Sequence, residues 1–128
     1  MFTGKRPTNI GVQSGKLAPC PNTPNCVNSQ SQDPKCRIEP LSYQSTPAEA
    51  MAKLKTVIGS QQRTKIITET ENYLYAEFTS GLMGFVDDVE FLLDESNQVI
   101  HVRSASRLGK SDLGANRKRI ETIRATMG

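Results

Sequence analysis

Two acidic residues and two arginines form the group of ionisable residues whose relative positions can best be predicted from this sequence. Asp88 and Glu90 alternate in the segment FVDDVEFLLD, and Arg103 and Arg107 follow in VRSASR. Alternate residues of a strand project to the same side. Carboxylates placed this way can act as a general base or help to bind a metal ion, and arginines bind anionic groups. The residue types therefore allow either a polar ligand site or carboxylate chemistry.

The two strands that carry these residues can be aligned with each other. A short polar loop at 95–98 joins them, so they pair antiparallel with residue numbers that sum to 193. Glu90 then faces Arg103, and such a cross-strand pair stabilises by roughly 0.2–1 kcal/mol. A preceding strand, joined through the turn SGLMG (80–84), places Tyr75 beside Glu90.

This polar face has two interpretations. The simpler one is a lattice of structural ion pairs in which Glu77 and Asp88 share the neighbouring arginines. The sharper one is a pocket in which Asp88, Glu90 and Arg103 bind a ligand or a divalent metal.

The loop RSASRLGKSD continues from the second strand into a final helix. Ser104, Arg107 and Lys110 belong to this loop, and a helix N-terminus favours anions. Asp112, however, puts a carboxylate where an anion would lie. An ion pair from Asp112 to Arg103 or Arg107 is therefore a simpler expectation than a bound phosphate.

Periodicity predicts the elements that position these residues. Thr46, Pro47 and Glu49 form a capping box that starts a helix ending at Gly59. Strands are expected at about 64–69, 73–79, 85–94 and 99–106, and a last helix at about 112–126. The order α-β-β-β-β-α predicts an α+β fold: a four-stranded antiparallel sheet with both helices on one face.

The last helix has an apolar side and a basic side. Its apolar stripe consists of Leu113, Ile120, Ile123 and Met127, and Ser111 or Asp112 is its predicted cap. Its basic residues are Arg117, Lys118, Arg119 and Arg124. No aromatic stacking platform accompanies them, so we expect a solvated face rather than a nucleic-acid site.

Residues 1–45 differ from residues 46–128 in composition and in predicted structure. They hold six of the seven prolines and predict an irregular segment packed on the α+β domain, with Ile38 and Leu41 on a short edge strand. Cys20, Cys26 and Cys36 are equally compatible with one disulfide plus a free thiol or with three reduced thiols. The C-x5-C-x9-C spacing differs from compact zinc sites. We favour a structural or redox pair at Cys20 and Cys26, and predict no metal or cofactor.

Composition limits the class of protein. A chain of 128 residues with net charge +3 predicts a single domain, with Phe78, Phe85 and Phe91 as core anchors. The sequence shows neither a membrane span nor a secretory signal. The expected location is the cytoplasm, or a plastid stroma if a presequence has been removed.

Three long motifs resemble the family known as domain of unknown function 1499, and the N-terminal one is most similar to its cyanobacterial members. They are GKRPTNIGVQSGKLAPCPNTPNCVNSQ (4–30), FVDDVEF (85–91) and VRSASRLGKSDLGANRKRIETIR (102–124). The family carries no agreed activity, so the resemblance transfers no residue roles. It implies that members look alike at Cys20, Cys26, 87–90, Arg103, Ser104, Ser106, Arg107, Asp112, Asn116 and Arg117.

Three functions follow as hypotheses. The first is a non-catalytic binding or accessory module for a small polar or anionic ligand. Its candidate residues are Asp88, Glu90, Arg103, Ser104, Arg107, Asp112, Asn116 and Arg117. The second is a carboxylate-based enzyme that acts with or without a metal ion. The third is an interaction protein whose basic last helix binds an acidic partner. The sequence predicts no oligomeric state.

Overall fold

The computed structural model describes residues 4–81, 84–109, 112 and 114–128. Its elements in chain order are β1 (Val12–Gln13), β2 (Lys16–Leu17), β3 (Cys26–Asn28), β4 (Leu41–Ser42), α1 (Pro47–Gly59), β5 (Thr64–Glu69), β6 (Tyr73–Thr79), β7 (Val86–Asp94), β8 (Val99–Ser106) and α2 (Ala115–Met127). The predicted α+β class is therefore confirmed. The predicted turn at Leu82–Met83, together with Lys110, the alternative cap Ser111 and the apolar Leu113, lies outside the described residues.

The antiparallel sheet is larger than the four strands predicted. Its order is β3-β8-β7-β6-β5, and β4 also pairs with β8, which makes six strands. Both additional strands come from the segment before residue 46, and they have only two or three residues each. Leu41 lies on a strand as expected, whereas Ile38 is buried outside one.

The first helix forms as its capping signal predicts. Thr46 accepts a hydrogen bond from the backbone N–H of Glu49, and the Glu49 carboxylate accepts from the backbone N–H of Thr46. This reciprocal pair satisfies two donors that the helix leaves without intrahelical partners. Buried Leu54 and Ile58 then direct one side of α1 toward the sheet.

Both helices pack on one face of the sheet, which we call the helix face. Val89, Phe91 and Val102 point into this core, where Ile120 of α2 meets them. The expected anchors Phe78 and Phe91 are buried. The third expected anchor, Phe85, is 40% exposed because it lies just before β7 at the end of the sheet, where its backbone bonds to Ser80 after β6.

The opposite side of the sheet, which we call the outer face, is covered by the segment that contains β1 and β2. Leu17 of β2 packs with Tyr73, Tyr75 and Leu92 in a second, smaller apolar cluster that Ile10 also contacts. The outer face is consequently an interior surface. Among the described residues no helix is long and apolar enough to cross a bilayer.

Candidate functional site

The predicted register is confirmed on both sides of β7. Glu90 pairs with Arg103 on β8 and with Tyr75 on β6, and Asp88 pairs with Glu77. These residues all project onto the outer face, because positions two apart share a side of the sheet. Asp88 and Glu90 are 2% and 0% exposed, so the two carboxylates lie in the interior.

Asp88 is held by an arginine and a tyrosine. Arg107 donates to it with two nitrogens, Nε to Oδ2 at 2.9 Å and Nη2 to Oδ1 at 2.8 Å. The Tyr75 hydroxyl donates to Oδ1 at 2.5 Å. Hydrogen bonds to Asp88 raise the pKa of Arg107, and burial together with the bond to Asp88 raises the pKa of Tyr75. Asp88 therefore already has the partners that an ionised carboxylate needs.

Glu77 extends this ion-pair group toward solvent. Its Oε2 accepts from Arg107 Nη2 at 2.6 Å and from Arg6 Nε at 2.8 Å. Partial burial alone would raise the pKa of Glu77, but the two arginines hold it below its usual value. Arg6 belongs to the N-terminal segment, so this contact ties that segment to β6.

Glu90 is only partly satisfied. Its Oε2 accepts from the Tyr73 hydroxyl at 2.6 Å and from the backbone N–H of Gly11 at 2.8 Å. Its other oxygen, Oε1, has no hydrogen-bond partner in the part of the chain that the structure describes, and Arg103 Nη1 is 3.8 Å away. Burial raises the pKa of Glu90 in spite of these donors, and burial together with this carboxylate raises the pKa of Tyr73.

Arg103 is the least satisfied arginine of the outer face. It is 3% exposed, and burial lowers its pKa. Its Nη2 donates to the carbonyl of Pro19 at 3.3 Å, whereas Nε has no partner within the described ranges. A guanidinium has five N–H donors, so most of the hydrogen-bonding capacity of Arg103 is not used by these contacts.

A cleft of about 400 Å³, the Arg103 cleft, opens between the N-terminal segment and the outer face. Its ionisable lining residues are Lys5, Asp88, Arg103 and Arg107. Pro19 and Cys20 form part of its wall, and a disulfide joins Cys20 to Cys26. The candidate thiol pair and three of the candidate ligand residues thus lie close together.

Two further candidate residues, Ser104 and Asn116, lie on the helix face. The Ser104 hydroxyl donates to Oδ1 of fully buried Asn116 at 2.6 Å, and Arg119 Nη1 donates to the same oxygen at 2.8 Å. Arg119 also forms an ion pair with Asp87 at 2.7 Å. Ser104 and Arg103 project from opposite sides of β8, and Ser104, Asn116 and Arg119 do not line the Arg103 cleft. Ser106 connects the two regions, because it lines the cleft and its hydroxyl accepts from the Asn116 amide at 2.9 Å.

Asp112 is not the N-cap of the last helix, which is Gly114, and it does not form the expected ion pair with Arg103 or Arg107. Its carboxylate accepts from the backbone N–H groups of Gly114 and Asn116 and from the Asn116 side chain. These bonds hold its pKa below the usual value against the effect of partial burial. The helix consequently starts at Ala115, later than predicted, and Arg117 is exposed near its start.

The remaining candidate metal ligands do not converge. No group of three or more histidine, cysteine, aspartate or glutamate residues that could hold a metal ion occurs among the described residues. His101 contacts Ser29 and Asp94, and Cys36 is a free thiol beside the Ser31 hydroxyl.

Sequence reasoning overlooked several residues of the site. Tyr73 has the same alternation as Tyr75, so the strand pattern could have identified it. Arg6, Gly11 and Pro19 had no comparable signal, because the path of an irregular segment is not encoded in hydrophobic periodicity. Two of these three residues contribute backbone groups, which any residue type could supply.

The family comparison agrees with the motifs that build this site. A model of the family described as "Protein of unknown function (DUF1499)" matches residues 16–127. This chain belongs to that family. The match covers the disulfide, the sheet and both helices. No curated protein matches the chain.

Proposed function

We propose that this DUF1499 protein is a small non-catalytic binding module whose Arg103 cleft holds an anionic oxygen group, such as a phosphate or a carboxylate. The observation that carries the proposal is the incomplete pairing of Arg103. Among the described residues, the Glu90 carboxylate oxygen is 3.8 Å from Arg103, and the one hydrogen bond of the guanidinium, to a neutral carbonyl, is 3.3 Å long. An anion that replaced the Pro19 carbonyl would form shorter, charge-assisted bonds.

The charges of the cleft support an anion over a cation. Lys5, Arg103 and Arg107 contribute three positive charges, against one negative charge from Asp88. Arg107 and Asp88 largely neutralise each other through their two-point contact. Arg103 faces Glu90, but at 3.8 Å the two are too far apart to share a hydrogen bond, so Lys5 and Arg103 supply the positive charge that an anion in the cleft would meet.

The alternatives receive less support. A general base must reach a substrate proton, whereas Asp88 and Glu90 are buried and accept hydrogen bonds from Tyr75 and Tyr73. On the last helix, Arg119 is engaged by Asp87, so the basic surface for an acidic partner is reduced. The cyanobacterial branch and the cytoplasmic or plastid location stay predictions.

Titration calorimetry with inorganic phosphate, and separately with acetate, tests the proposal. Wild type should bind at least one of them saturably. Arg103→Lys keeps a positive charge beside Glu90 but loses the planar set of donors, and should weaken binding about tenfold or more, the loss expected for charge-assisted bonds of roughly 1.5–3 kcal/mol.

Arg119→Lys is the matched control, because it makes the same substitution on the helix face. It should bind like wild type when circular dichroism shows both variants to be folded. Saturable binding that Arg103→Lys leaves unchanged would contradict the proposal, and so would the absence of binding of either anion to wild type.

A further inference from the structure

The two cysteines of the disulfide differ in their exposure. Cys26 is 4% exposed at the start of β3, where it pairs with Ala105 of β8. Cys20 is half-buried and lines the Arg103 cleft. A nucleophile that enters the cleft therefore meets Cys20, and the sulfur of Cys26 is in the position of the leaving group.

The same cleft places cationic groups near the accessible sulfur. Arg103 donates to the carbonyl of Pro19, which directly precedes Cys20 in the chain. Lys5 lines the cleft as well. An anionic group bound by Arg103 would consequently lie next to Cys20, and a thiolate at Cys20 would be stabilised by these cations.

We propose that the Arg103 cleft is a thiol–disulfide exchange site for a small thiol that carries carboxylates. This inference rests on the anion-binding function proposed above, because Arg103 and Lys5 bind the carboxylate and bring the thiol to Cys20. The thiol and the disulfide supply all the electrons of the reaction, so no further oxidant or reductant is required.

The exchange has two balanced steps. The small thiolate attacks Sγ of Cys20, a new S–S bond forms, and the Cys20–Cys26 bond breaks so that Cys26 leaves as a thiolate and takes a proton. A second small thiolate then attacks the sulfur of the first one. Cys20 is released as a thiol after protonation, and the two small thiols leave as their own disulfide.

Reduction should alter the cleft locally and leave the fold intact. Next to Cys20, the backbone N–H of Leu17 donates to Gln30 at 2.9 Å, and the Asn28 side chain donates to the carbonyl of Ala18 at 2.9 Å. These bonds hold the segment without the disulfide. The freed part starts at Pro19, whose carbonyl is the one that contacts Arg103, so the redox state would tune the anion site.

The first experiment compares the reduction rates of the disulfide by glutathione, which is anionic, and by cysteamine, which is cationic. It uses Cys36→Ser protein as the reference, so that the third thiol does not interfere. The ratio of the two rates removes differences in overall stability between variants. Arg103→Gln and Lys5→Gln should each lower the glutathione-to-cysteamine ratio, by up to about tenfold for Arg103→Gln.

Lys5 is exposed, so its variant keeps the test decisive if Arg103→Gln does not fold. Arg119→Gln, on the helix face, should keep the ratio of the reference protein. A ratio that is unchanged in both Arg103→Gln and Lys5→Gln would overturn the exchange site. If phosphate or acetate still binds in that case, the proposed function stands and only this inference fails.

The second experiment asks which sulfur forms the mixed disulfide. Cys20→Ser and Cys26→Ser, both in the Cys36→Ser background, lose the same bond and differ in the thiol that remains. Oxidised glutathione should add to Cys20 in the Cys26→Ser protein, as a mass increase in intact-protein mass spectrometry, and should leave Cys26 unmodified in folded Cys20→Ser protein. Equal modification of both variants, or faster modification of Cys26, would overturn the assignment of Cys20.

Discussion

Glu90 and Arg103 face each other across β7 and β8, but the shortest distance between their charged atoms is 3.8 Å. Both are almost wholly buried, and Glu90 Oε1 and Arg103 Nε each have no hydrogen-bond partner within the described chain. A buried pair of this kind makes a poor contribution to stability unless further hydrogen bonds satisfy it. This incomplete pairing distinguishes Arg103 from Arg107 and is the basis of the proposed anion site.

Replacement of Glu90 by glutamine should change how stability depends on pH. Burial raises the pKa of Glu90 above its value in the unfolded chain, so wild type loses stability as the pH rises through the folded-state pKa. Glutamine does not ionise. Measured by denaturant unfolding between about pH 4 and pH 8, the free energy of unfolding of Glu90→Gln relative to wild type should therefore increase with pH.

Glu77→Gln provides a control with the opposite sign. Arg6 and Arg107 hold the pKa of Glu77 below normal, so its stabilising contribution is present above the unfolded-state pKa and is lost toward acid. The free energy of unfolding that Glu77→Gln loses relative to wild type should be largest near neutral pH and smaller in acid. If the difference in free energy of unfolding between Glu90→Gln and wild type stays constant over the measured pH range, the raised pKa of Glu90 is contradicted.

The Glu90–Arg103 pair should also show energetic coupling. Arg103→Met leaves Glu90 buried without its cation and should cost about 3–5 kcal/mol. In the background of Glu90→Gln the same substitution should cost less, with a coupling energy of roughly 0.5–3 kcal/mol. Denaturant unfolding of the four proteins of the cycle measures this difference, and additivity within about 0.5 kcal/mol would show that the pair is not coupled.

The sequence predicts the paired strands better than the contacts made on them. The register follows from alternation and a short loop, and it correctly places Glu90 opposite Arg103. The hydroxyl contacts are diagonal: Tyr73 faces Leu92 but donates to Glu90, and Tyr75 faces Glu90 but donates to Asp88. Aromatic side chains reach diagonal neighbours, so register alone does not identify their partners.

The extent of the sheet and the covering of its outer face could not be predicted in the same way. β3 and β4 have three and two residues, which is too short for an alternation to be recognised. The segment over the outer face is held by hydrogen bonds of the Gly11 N–H and the Pro19 carbonyl. The sequence does not indicate which backbone groups form such bonds. As a result, the sequence predicted a segment packed on the domain but did not identify the polar face as the surface that it covers.

Thr46→Ala should weaken the start of α1. The Thr46 side chain accepts from the backbone N–H of Glu49, and loss of such a cap costs about 1 kcal/mol. Ser45→Ala is the matched control, since within the described chain the Ser45 hydroxyl forms a hydrogen bond to the Thr46 carbonyl alone, and it should change stability by less than about 0.5 kcal/mol. Equal effects of the two substitutions on the free energy of unfolding would contradict the role of the cap.

Asn116→Ala should strongly lower the free energy of unfolding and leave the affinity of the Arg103 cleft for its anion unchanged. Asn116 is 0% exposed, and its amide donates to the Asn25 carbonyl, the Ser106 hydroxyl and Asp112. Each buried group left unsatisfied costs about 1–3 kcal/mol, so a loss of at least about 3 kcal/mol is expected from thermal or denaturant unfolding.

Asn97→Ala is the matched control, because Asn97 is exposed in the β7–β8 loop and, among the described residues, its side chain forms a hydrogen bond with Asp94 alone. Its cost should be below about 1 kcal/mol. At a temperature where Asn116→Ala is folded, its affinity for the anion that wild type binds should equal that of wild type, because Asn116 itself contributes no group to the lining of the Arg103 cleft. A weaker affinity would mean that the two faces act as one site, as the loop from Arg103 to Asp112 first suggested.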